Sequence, residues 1–520
     1  MKTDVIITGG GLAGLGLAHQ LVSETPGLAI VVLEKQRFPR PKAIAKVGES
    51  TVEIGSRYLA KHLGLEAHLQ QEQLKKFGLR IFLGEPADDF AQQDELGASS
   101  TFGIPTYQID RGIIENELAR KVRAAGVTVL DDASVSAIDI QPRGHTVAAE
   151  VAGEALKVEG RWLLDASGRA ALVKNTLGLA ASSSHRGNAV WFRVDRRIEI
   201  DDWSTDAAWR ERCSPPGRRW LSTNHLVGPG YWVWIIPLSS GATSIGIVMD
   251  DQAFDEAGID SEAAAIRWLE QHQRRCAEAL AGARFLDFVV LPDYAYECKQ
   301  LFGGERWAIT GEAGFFADPF YSPGSDFIAI SNCFIADLVS ADLRGQDIAA
   351  QRIVSEKIFR SIYASTLSLY QGTYGGFGDR KMMALKLLWD YSYYWGVLSL
   401  LFFNDALGDM SVMRLVNPLL QQAQGLNAEV QQVFCRRAQQ RLVLSNQGVF
   451  IDQYRIPCLH LFNQQLMAAD GSSTVADVTA NLARLRVIAG AVDNMLSDHP
   501  DRSISEQERA LLGDYRERVA

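Results

Sequence analysis

Short apolar runs without alternation mark the first part of the chain. Val5–Ile7, Ala29–Leu33, Thr128–Leu130 and Trp162–Leu164 are such runs, each followed by a polar residue. Runs of this length with helical stretches between them predict buried, mostly parallel strands. Leu59, Leu63 and Leu69 give partial helical spacing over 56–74, broken at Gly64, and Ile113, Ile114 and Leu118 mark one face of a helix after Arg111. Leu74 to Phe82 alternates like a strand, and Thr146 to Val158 reads as a hairpin turning at Gly153. Over 189–250 the rhythm changes: Ala189–Val194, Gly230–Pro237 and Thr243–Val248 alternate, which predicts antiparallel sheet with Trp232, Trp234 and Ile236 on one face. A long helix is expected from Phe327 to Leu343. From about 345 onward the pattern is mainly helical, with an aromatic stretch from Lys381 to Phe403 and a charged, surface tail helix over 497–520.

The chemistry starts at the end of the first strand. Gly9-x-Gly11-x-Ala13-Gly14 opens a helix, and Glu34 ends the second strand about 20 residues on. Gly9 allows the turn, Gly11 lets backbone approach a pyrophosphate, Gly14 lets helix and strand pack closely, and Glu34 is placed to accept from a ribose hydroxyl. The first amides of such a helix attract phosphate. This order of elements predicts an adenine dinucleotide, with nicotinamide and flavin forms both open. Ser50 is placed to cap the next helix, with Glu53 closing a capping box, and Gly48 would let the backbone pass a ligand.

Composition narrows the class. Apolar residues at 47% and charged residues at 22% describe a soluble globular chain, and 520 residues allow two or three structural units. A formal charge of −10 gives no case for nucleic acid. The cysteines (213, 276, 298, 333, 435 and 458) are scattered without a CxxC pair, so neither a metal site nor a disulfide framework is expected, and a reducing cytosol is. No basic lead precedes the first strand, so no signal peptide is expected. Tyr391–Phe403 is too short to span a bilayer; the wider stretch Lys381–Phe403 is open to capping the active site, binding an aromatic or acyl substrate, touching a membrane surface, or burial as a helical pair.

Gly48-Glu49-Ser50 at this distance from the glycine loop, Lys76-x-Gly78, and Trp232-x-Trp234-x-Ile236-Pro237 together resemble the flavin-dependent halogenases and their monooxygenase relatives. Asp165-x-x-Gly168 and Gly311-Glu312 followed by Asp318-Pro319 resemble the second and third flavin elements of that superfamily, where position 312 is usually Asp. The resemblance covers nearly two-thirds of the chain. It implies an α/β, two-dinucleotide-binding (Rossmann-like, GR2-type) FAD fold over 1–345, an antiparallel substrate-side sheet at approximately 185–300, and a helical C-terminal domain over 346–520.

The resemblance also implies roles. Gly9, Gly11, Ala13, Gly14, Glu34, Gly48, Glu49, Ser50, Arg111, Asp165, Gly168, Gly311, Glu312, Asp318 and Gly324 would hold FAD, used as FADH2. With O2 and chloride or bromide this yields hypohalous acid, which reaches Lys76; the lysine forms a haloamine or polarises the acid by hydrogen bonding, and an aromatic substrate (phenol, pyrrole or indole), free or on a carrier protein, is halogenated. Arginine could not replace this lysine, because it cannot be deprotonated. Trp232, Trp234, Pro237 and Tyr321 would wall the active site. Tyr321 stands where tryptophan-specific members have glutamate, which argues against free tryptophan as substrate. No second glycine fingerprint follows for a nicotinamide, so a separate flavin reductase is expected. The halide loop, Ser322-Pro323-Gly324-Ser325, departs from the family: halide is bound there by two successive amides, and Pro323 has none, unless Ser322, Ser325 or a shifted register compensates. The alternatives are an FAD monooxygenase without halide chemistry and a non-catalytic FAD-bound accessory subunit.

Overall fold

The computed structural model describes residues 1–42, 44–497 and 504–519. The chain forms two compact units that interleave along the sequence. One holds 1–73, 109–183 and 295–363; the other holds 74–108, 184–294 and 364–520.

The first unit is built on a sheet whose strands run in the order Thr128–Leu130, Ile30–Leu33, Lys2–Thr8, Glu154–Asp165, His145–Val151, Ala133–Asp139, with Trp307–Ile309 also pairing with Glu154–Asp165. The pairings among the first four strands and that with Trp307–Ile309 are parallel. Val5, Ile6 and Ile7 are wholly buried, as are Leu163 and Leu164 beside them, which is why these strands read as unbroken apolar runs. The register places Thr8 beside both Leu33 and Asp165, and Asp165 beside Ile309. The turns that follow, at Gly9, Glu34, Ala166 and Thr310, therefore leave the sheet at one carboxyl edge, where doubly wound folds bind ligands. The hairpin turning at Gly153 and the helix Arg111–Ala124 form where the periodicity places them.

One expectation in this unit holds and one is corrected. The helical stretch over 56–74 breaks at Gly64, as its pattern predicts: it runs as Glu53–Arg57, a π-turn Tyr58–His62 and Glu66–Glu72, with Gly64 turning the chain at φ +57°. Val52, not Ser50, is the cap residue of Glu53–Arg57, and Ser50 lies buried two residues before it. The junction is tied instead by Thr51 Oγ1 and Ser56 Oγ, 2.7 Å apart.

The second unit carries an eight-stranded sheet in the order Phe285–Leu291, Asn188–Val194, Thr243–Met249, Tyr231–Pro237, Thr223–Gly228, Leu79–Leu83, Asp94–Gly97, Phe450–Asp452. Phe192, Leu226, Val233, Ile235, Ile245 and Ile247 point to one side and pack with Trp203, Trp209, Trp268 and Leu269. Alternation then commits Trp232, Trp234 and Ile236 to the opposite face.

The strand expected over Leu74–Phe82 is corrected: it is two pieces, Leu74–Lys75 and Leu79–Leu83, because Gly78 adopts φ +84° between them. The aromatic stretch near 390 is core, since Trp389 and Trp395 are almost fully buried in one continuous helical run from Arg380 to Phe403. Among the described residues no helix is long and apolar enough to cross a membrane. The tail is also corrected. It folds as Glu506–Leu512 and Tyr515–Val519, with Leu512, Tyr515 and Val519 buried and Tyr515 Oη donating to Ala384 O at 2.7 Å. Residues 498–503 and 520 of that segment lie outside the described residues.

Candidate active site

The glycine loop is a close-contact structure. Gly9 has φ +100°, and a Cβ on it would sit 2.3 Å from Ala166 O; a Cβ on Gly14 would sit 1.9 Å from Gly9 O. Side chains are therefore excluded where helix, strand and the Asp165 turn meet. Ala13 faces Gly311, whose added Cβ would lie 3.1 Å from the alanine methyl. The first and third predicted elements thus pack directly against each other.

Glu34 sits at the head of this loop and is nearly fully buried. Its Oε2 accepts from Gly10 N at 2.6 Å and lies 3.0 Å from Arg40 Nη2, while Oε1 accepts from Gln36 N at 2.8 Å. Oε1 retains acceptor capacity for a ribose hydroxyl. Asp165 is used differently. Its carboxylate accepts from Thr8 Oγ1 at 3.0 Å, Ser167 N at 3.0 Å and Val173 N at 2.7 Å, so it braces the turn before Gly168 rather than presenting an open oxygen. Burial pushes its carboxyl pKa up, against those hydrogen bonds.

Beside the loop, Arg111, expected from the resemblance to hold the cofactor, joins a cluster whose other members the sequence analysis did not assign. Arg40, Lys46 and Arg111 all converge on Glu115, a carboxylate with no exposure, with Lys46 Nζ at 2.9 Å and Arg111 Nη2 at 2.8 Å. Lys46 Nζ also lies 3.5 Å from the position a Cβ would take on Gly11. Burial, with the Arg111 and Arg40 charges behind it, pulls the Lys46 ammonium down to about 7, and burial lowers Arg111 to about 10. Gly48 passes over Arg111, where a Cβ would meet Nη1 at 3.0 Å, and Glu49 holds Ile109 N through its carbonyl at 2.7 Å. Crowded cations at the first turn of a helix whose leading amides point outward are a fit for a pyrophosphate, which would relieve their mutual repulsion. No spacing rule links Lys46, Arg40 and Glu115; only the fold collects them.

The third element continues this edge. Glu312 is partly exposed and 3.5 Å from Arg169 Nε, and its field reaches Lys46 and Arg111. Asp318 Oδ1 accepts from Phe320 N at 2.8 Å and starts the loop. Tyr321 and Ser322 both have positive φ, +68° and +58°, an uncommon pairing for residues with side chains. Pro323 is buried as the cap residue of the helix Gly324–Leu343, and its carbonyl accepts from Asp326 N and Phe327 N. Ser325 and Asp326 close on Gly55: Asp326 Oδ1 takes Gly55 N at 2.8 Å, and a Cβ on Gly55 would meet Ser325 Oγ at 2.2 Å. That long helix begins three residues earlier than the expected Phe327.

The second unit holds the other predicted group. Lys76 is buried, its backbone N donating to Thr106 O at 2.8 Å and the next amide, Phe77 N, to Leu221 O at 3.0 Å. Thr223 Oγ1 accepts from Gln108 Nε2 at 2.8 Å, which ties the same segments together by side chains. Pairing puts His225 opposite Trp234 and Val227 opposite Trp232, so His225 shares the tryptophan face, with its ring 5.3 Å from that of Trp232. Trp232 and Trp234 have ring centroids 5.6 Å apart. Trp191 and Trp234 both donate to Ser244 Oγ, at 2.9 and 3.2 Å, and the Trp234 indole covers Gly246. Pro237 ends the strand opposite Thr243. Trp191, His225, Ser244 and Gly246 carry no sequence signal of their own, because their face is defined only once the strand register is known. Tyr321, grouped with the tryptophans from sequence, belongs to the other unit, where its ring packs on Phe320 at 4.5 Å.

A family model described as an FAD binding domain matches residues 2–259. A flavin-dependent halogenase of Dictyostelium discoideum is 27% identical over 435 residues, covering 76% of this chain and 70% of that protein. A 1H-pyrrole-2-carbonyl-[peptidyl-carrier protein] chlorinase of Pseudomonas fluorescens is 24% identical over 361 residues, covering 65% and 76%. Among solved structures, that of halogenase PltM superposes with a TM-score of 0.69 at 17% identity, covering 93% of this chain and 98% of its own. With the dinucleotide edge built as described, the chain carries an FAD binding domain over residues 2–259 and is similar in sequence and fold to flavin-dependent halogenases.

Proposed function

We propose that this protein is a reduced-flavin-dependent halogenase of an electron-rich aromatic substrate, a phenol, pyrrole or indole, free or tethered to a carrier protein. The observation that carries the reading is Lys76: a buried lysine whose backbone is held just ahead of the strand Leu79–Leu83, in the sheet that presents Trp232 and Trp234. Bound and reduced, FAD supplies the electrons with which O2 converts halide to hypohalous acid. The amides of the glycine loop, Lys46, Arg40 and Arg111 bind and orient the pyrophosphate, and Glu34 takes the ribose. Lys76, once deprotonated, accepts the halogen or polarises its carrier, so the arene reacts only where it can reach Nζ. Reduced flavin arrives from a separate reductase. Its place of action is a reducing cytosol, a reading supported by cysteines scattered through the sequence without a CxxC pair.

The test supplies reduced FAD, O2 and chloride or bromide with a small phenol and pyrrole panel, and reads the halogen isotope pattern by mass spectrometry. Halogenated product supports the reading. Hydroxylated product without halogen replaces it with the monooxygenase reading, which the absent Pro323 amide favours. Failure of reduced FAD to react with O2 in the bound state would point to the accessory-subunit reading. Lys76→Ala is expected to keep consuming reduced flavin and to lose directed halogenation.

A further inference from the structure

Asn332 is wholly buried in the helix Gly324–Leu343, where its neighbours Ile330, Phe334 and Ile335 are buried without polar side-chain atoms. A buried amide is costly unless its hydrogen-bonding groups are met. Here they are met by three different elements. Asn332 Nδ2 donates to Ala13 O at 3.1 Å and to Tyr58 Oη at 3.0 Å, and its Oδ1 accepts from Thr310 Oγ1 at 2.8 Å. Ala13 O can only accept, so the nitrogen must face it, and the amide has one orientation. Tyr58 Oη passes its own proton to Gln20 Oε1 at 3.0 Å, and Thr310 Oγ1 also lies 2.8 Å from Ser331 Oγ. Thr310 is wholly buried too, and Tyr58 and Gln20 almost so.

Each partner belongs to a different part of the cofactor edge. Ala13 lies in the first turn of the helix after the glycine loop, Leu12–Glu24. Thr310 ends the strand Trp307–Ile309 and precedes Gly311, and Tyr58 opens the π-turn of the run that follows Gly48-Glu49-Ser50. Ala13 and Gly311 already face one another, since a Cβ on Gly311 would lie 3.1 Å from the alanine methyl. Nearer its start, the helix of Asn332 ties to the same run once more, where Asp326 Oδ1 takes Gly55 N at 2.8 Å. Along the carboxyl edge of the sheet the turns stand in the order Glu34, Gly9, Ala166, Thr310. Glu34 and the glycine loop serve the ribose and pyrophosphate of the adenine half. The turn at Thr310, two strands on, falls to the riboflavin half.

We propose that Asn332 is a positioning residue for bound FAD: it fixes the glycine-loop helix against the Thr310–Gly311 turn, so that the two halves of the cofactor meet their sites at one spacing. The glycine loop takes a pyrophosphate with its own strand and helix, so the adenine half binds without Asn332. The riboflavin half needs the Thr310 turn at the right distance. Gly311, with φ +61° and no side chain, has no group of its own to hold Ala13, and the amide of Asn332 makes that link from behind. Loss of Asn332 therefore lowers the affinity for FAD and spares ADP, which carries the adenine half alone. Halogenation and hydroxylation use the same cofactor, so this role stands under either reading of the reaction.

The experiment uses the full-length protein freed of cofactor, with Asn332→Leu, Thr310→Val and the double variant. FAD and ADP are titrated by calorimetry, and the denaturant midpoint of each protein is read beside them. Asn332→Leu is expected to raise the FAD Kd at least about fivefold, as the loss of buried hydrogen bonds does, and to change the ADP Kd by less than about twofold. The double variant should bind FAD no more weakly than Asn332→Leu, because Thr310 acts through Asn332. FAD and ADP weakened by the same factor, or a lowered midpoint with unchanged FAD affinity, would mark a merely structural residue and overturn the proposal. Losses from Asn332→Leu and Thr310→Val that simply add would overturn it as well. If Asn332→Leu does not fold, Thr310→Val decides, since it keeps the side chain's shape and removes one hydroxyl. It is expected to weaken FAD at least about threefold and to spare ADP; an unchanged FAD Kd, or an equal loss for ADP, overturns the proposal.

Discussion

The indole of Trp234 lies directly across Gly246. A Cβ built on that glycine would sit 2.2 Å from the ring, and the indole N–H ends on Ser244 Oγ two residues earlier on the same strand. The tryptophan is thus held from below by a missing side chain and at its edge by a hydroxyl that Trp191 shares. Gly246→Ala must push the ring away. We expect a destabilisation of about 1–3 kcal/mol, typical of overpacking, and loss of the regular product pattern. Denaturant unfolding and product analysis check this; an unchanged midpoint would mean that the ring is free to move.

Glu34 is expected to be the most sensitive acid for cofactor retention. Glu34→Ala removes the acceptor for Gly10 N and leaves buried Arg40 with one carboxylate fewer. Charged hydrogen bonds of this kind are worth about 1.5–3 kcal/mol, so FAD affinity should fall by roughly tenfold or more. Fluorescence titration of FAD reads it directly.

FAD binding should take up protons near neutral pH. Lys46 titrates at about 7 in the free protein, and an anion beside it raises that value. Below that pH both states are protonated and affinity is flat. Above it the complex holds more protons than the free protein, so affinity falls as pH rises, until the raised value in the complex is passed. Calorimetry in buffers of different ionisation enthalpy counts the proton. Lys46→Met should bind more weakly and abolish the uptake.

Pro323→Thr restores an amide donor at the cap of the helix Gly324–Leu343. If halide is held there, one added hydrogen bond of about 1 kcal/mol should lower the halide KM by roughly fivefold. The dependence of product formation on bromide concentration measures this. An unchanged KM would place the halide on the amides of Gly324 and Ser325, or elsewhere.

Much of the first unit is legible in the amino-acid sequence. Buried parallel strands have no polar alternation, so Val5–Ile7 and Trp162–Asp165 stand out, and the glycine spacing follows from contacts too close for any side chain. Alternation likewise gives the face of Trp232 and Trp234. Local patterns fail where local forces lose to tertiary ones. Ser50 has the right chemistry for a cap, but the chain places Val52 there. The alternation of Leu74–Phe82 runs through Gly78, yet the backbone turns at that glycine and sets Lys76 apart from the strand.

The sequence by itself determined the dinucleotide edge, its order of elements and the residues that cannot carry a side chain, because each depends on neighbours within a few positions. Only the tertiary structure decided the interleaving of the two units, the gathering of Arg40, Lys46 and Arg111 on Glu115, and the tying of the Lys76–Phe77 segment to Leu221. Those groups lie tens to well over a hundred residues apart, and strand register and helix packing, which no short-range pattern encodes, bring them together.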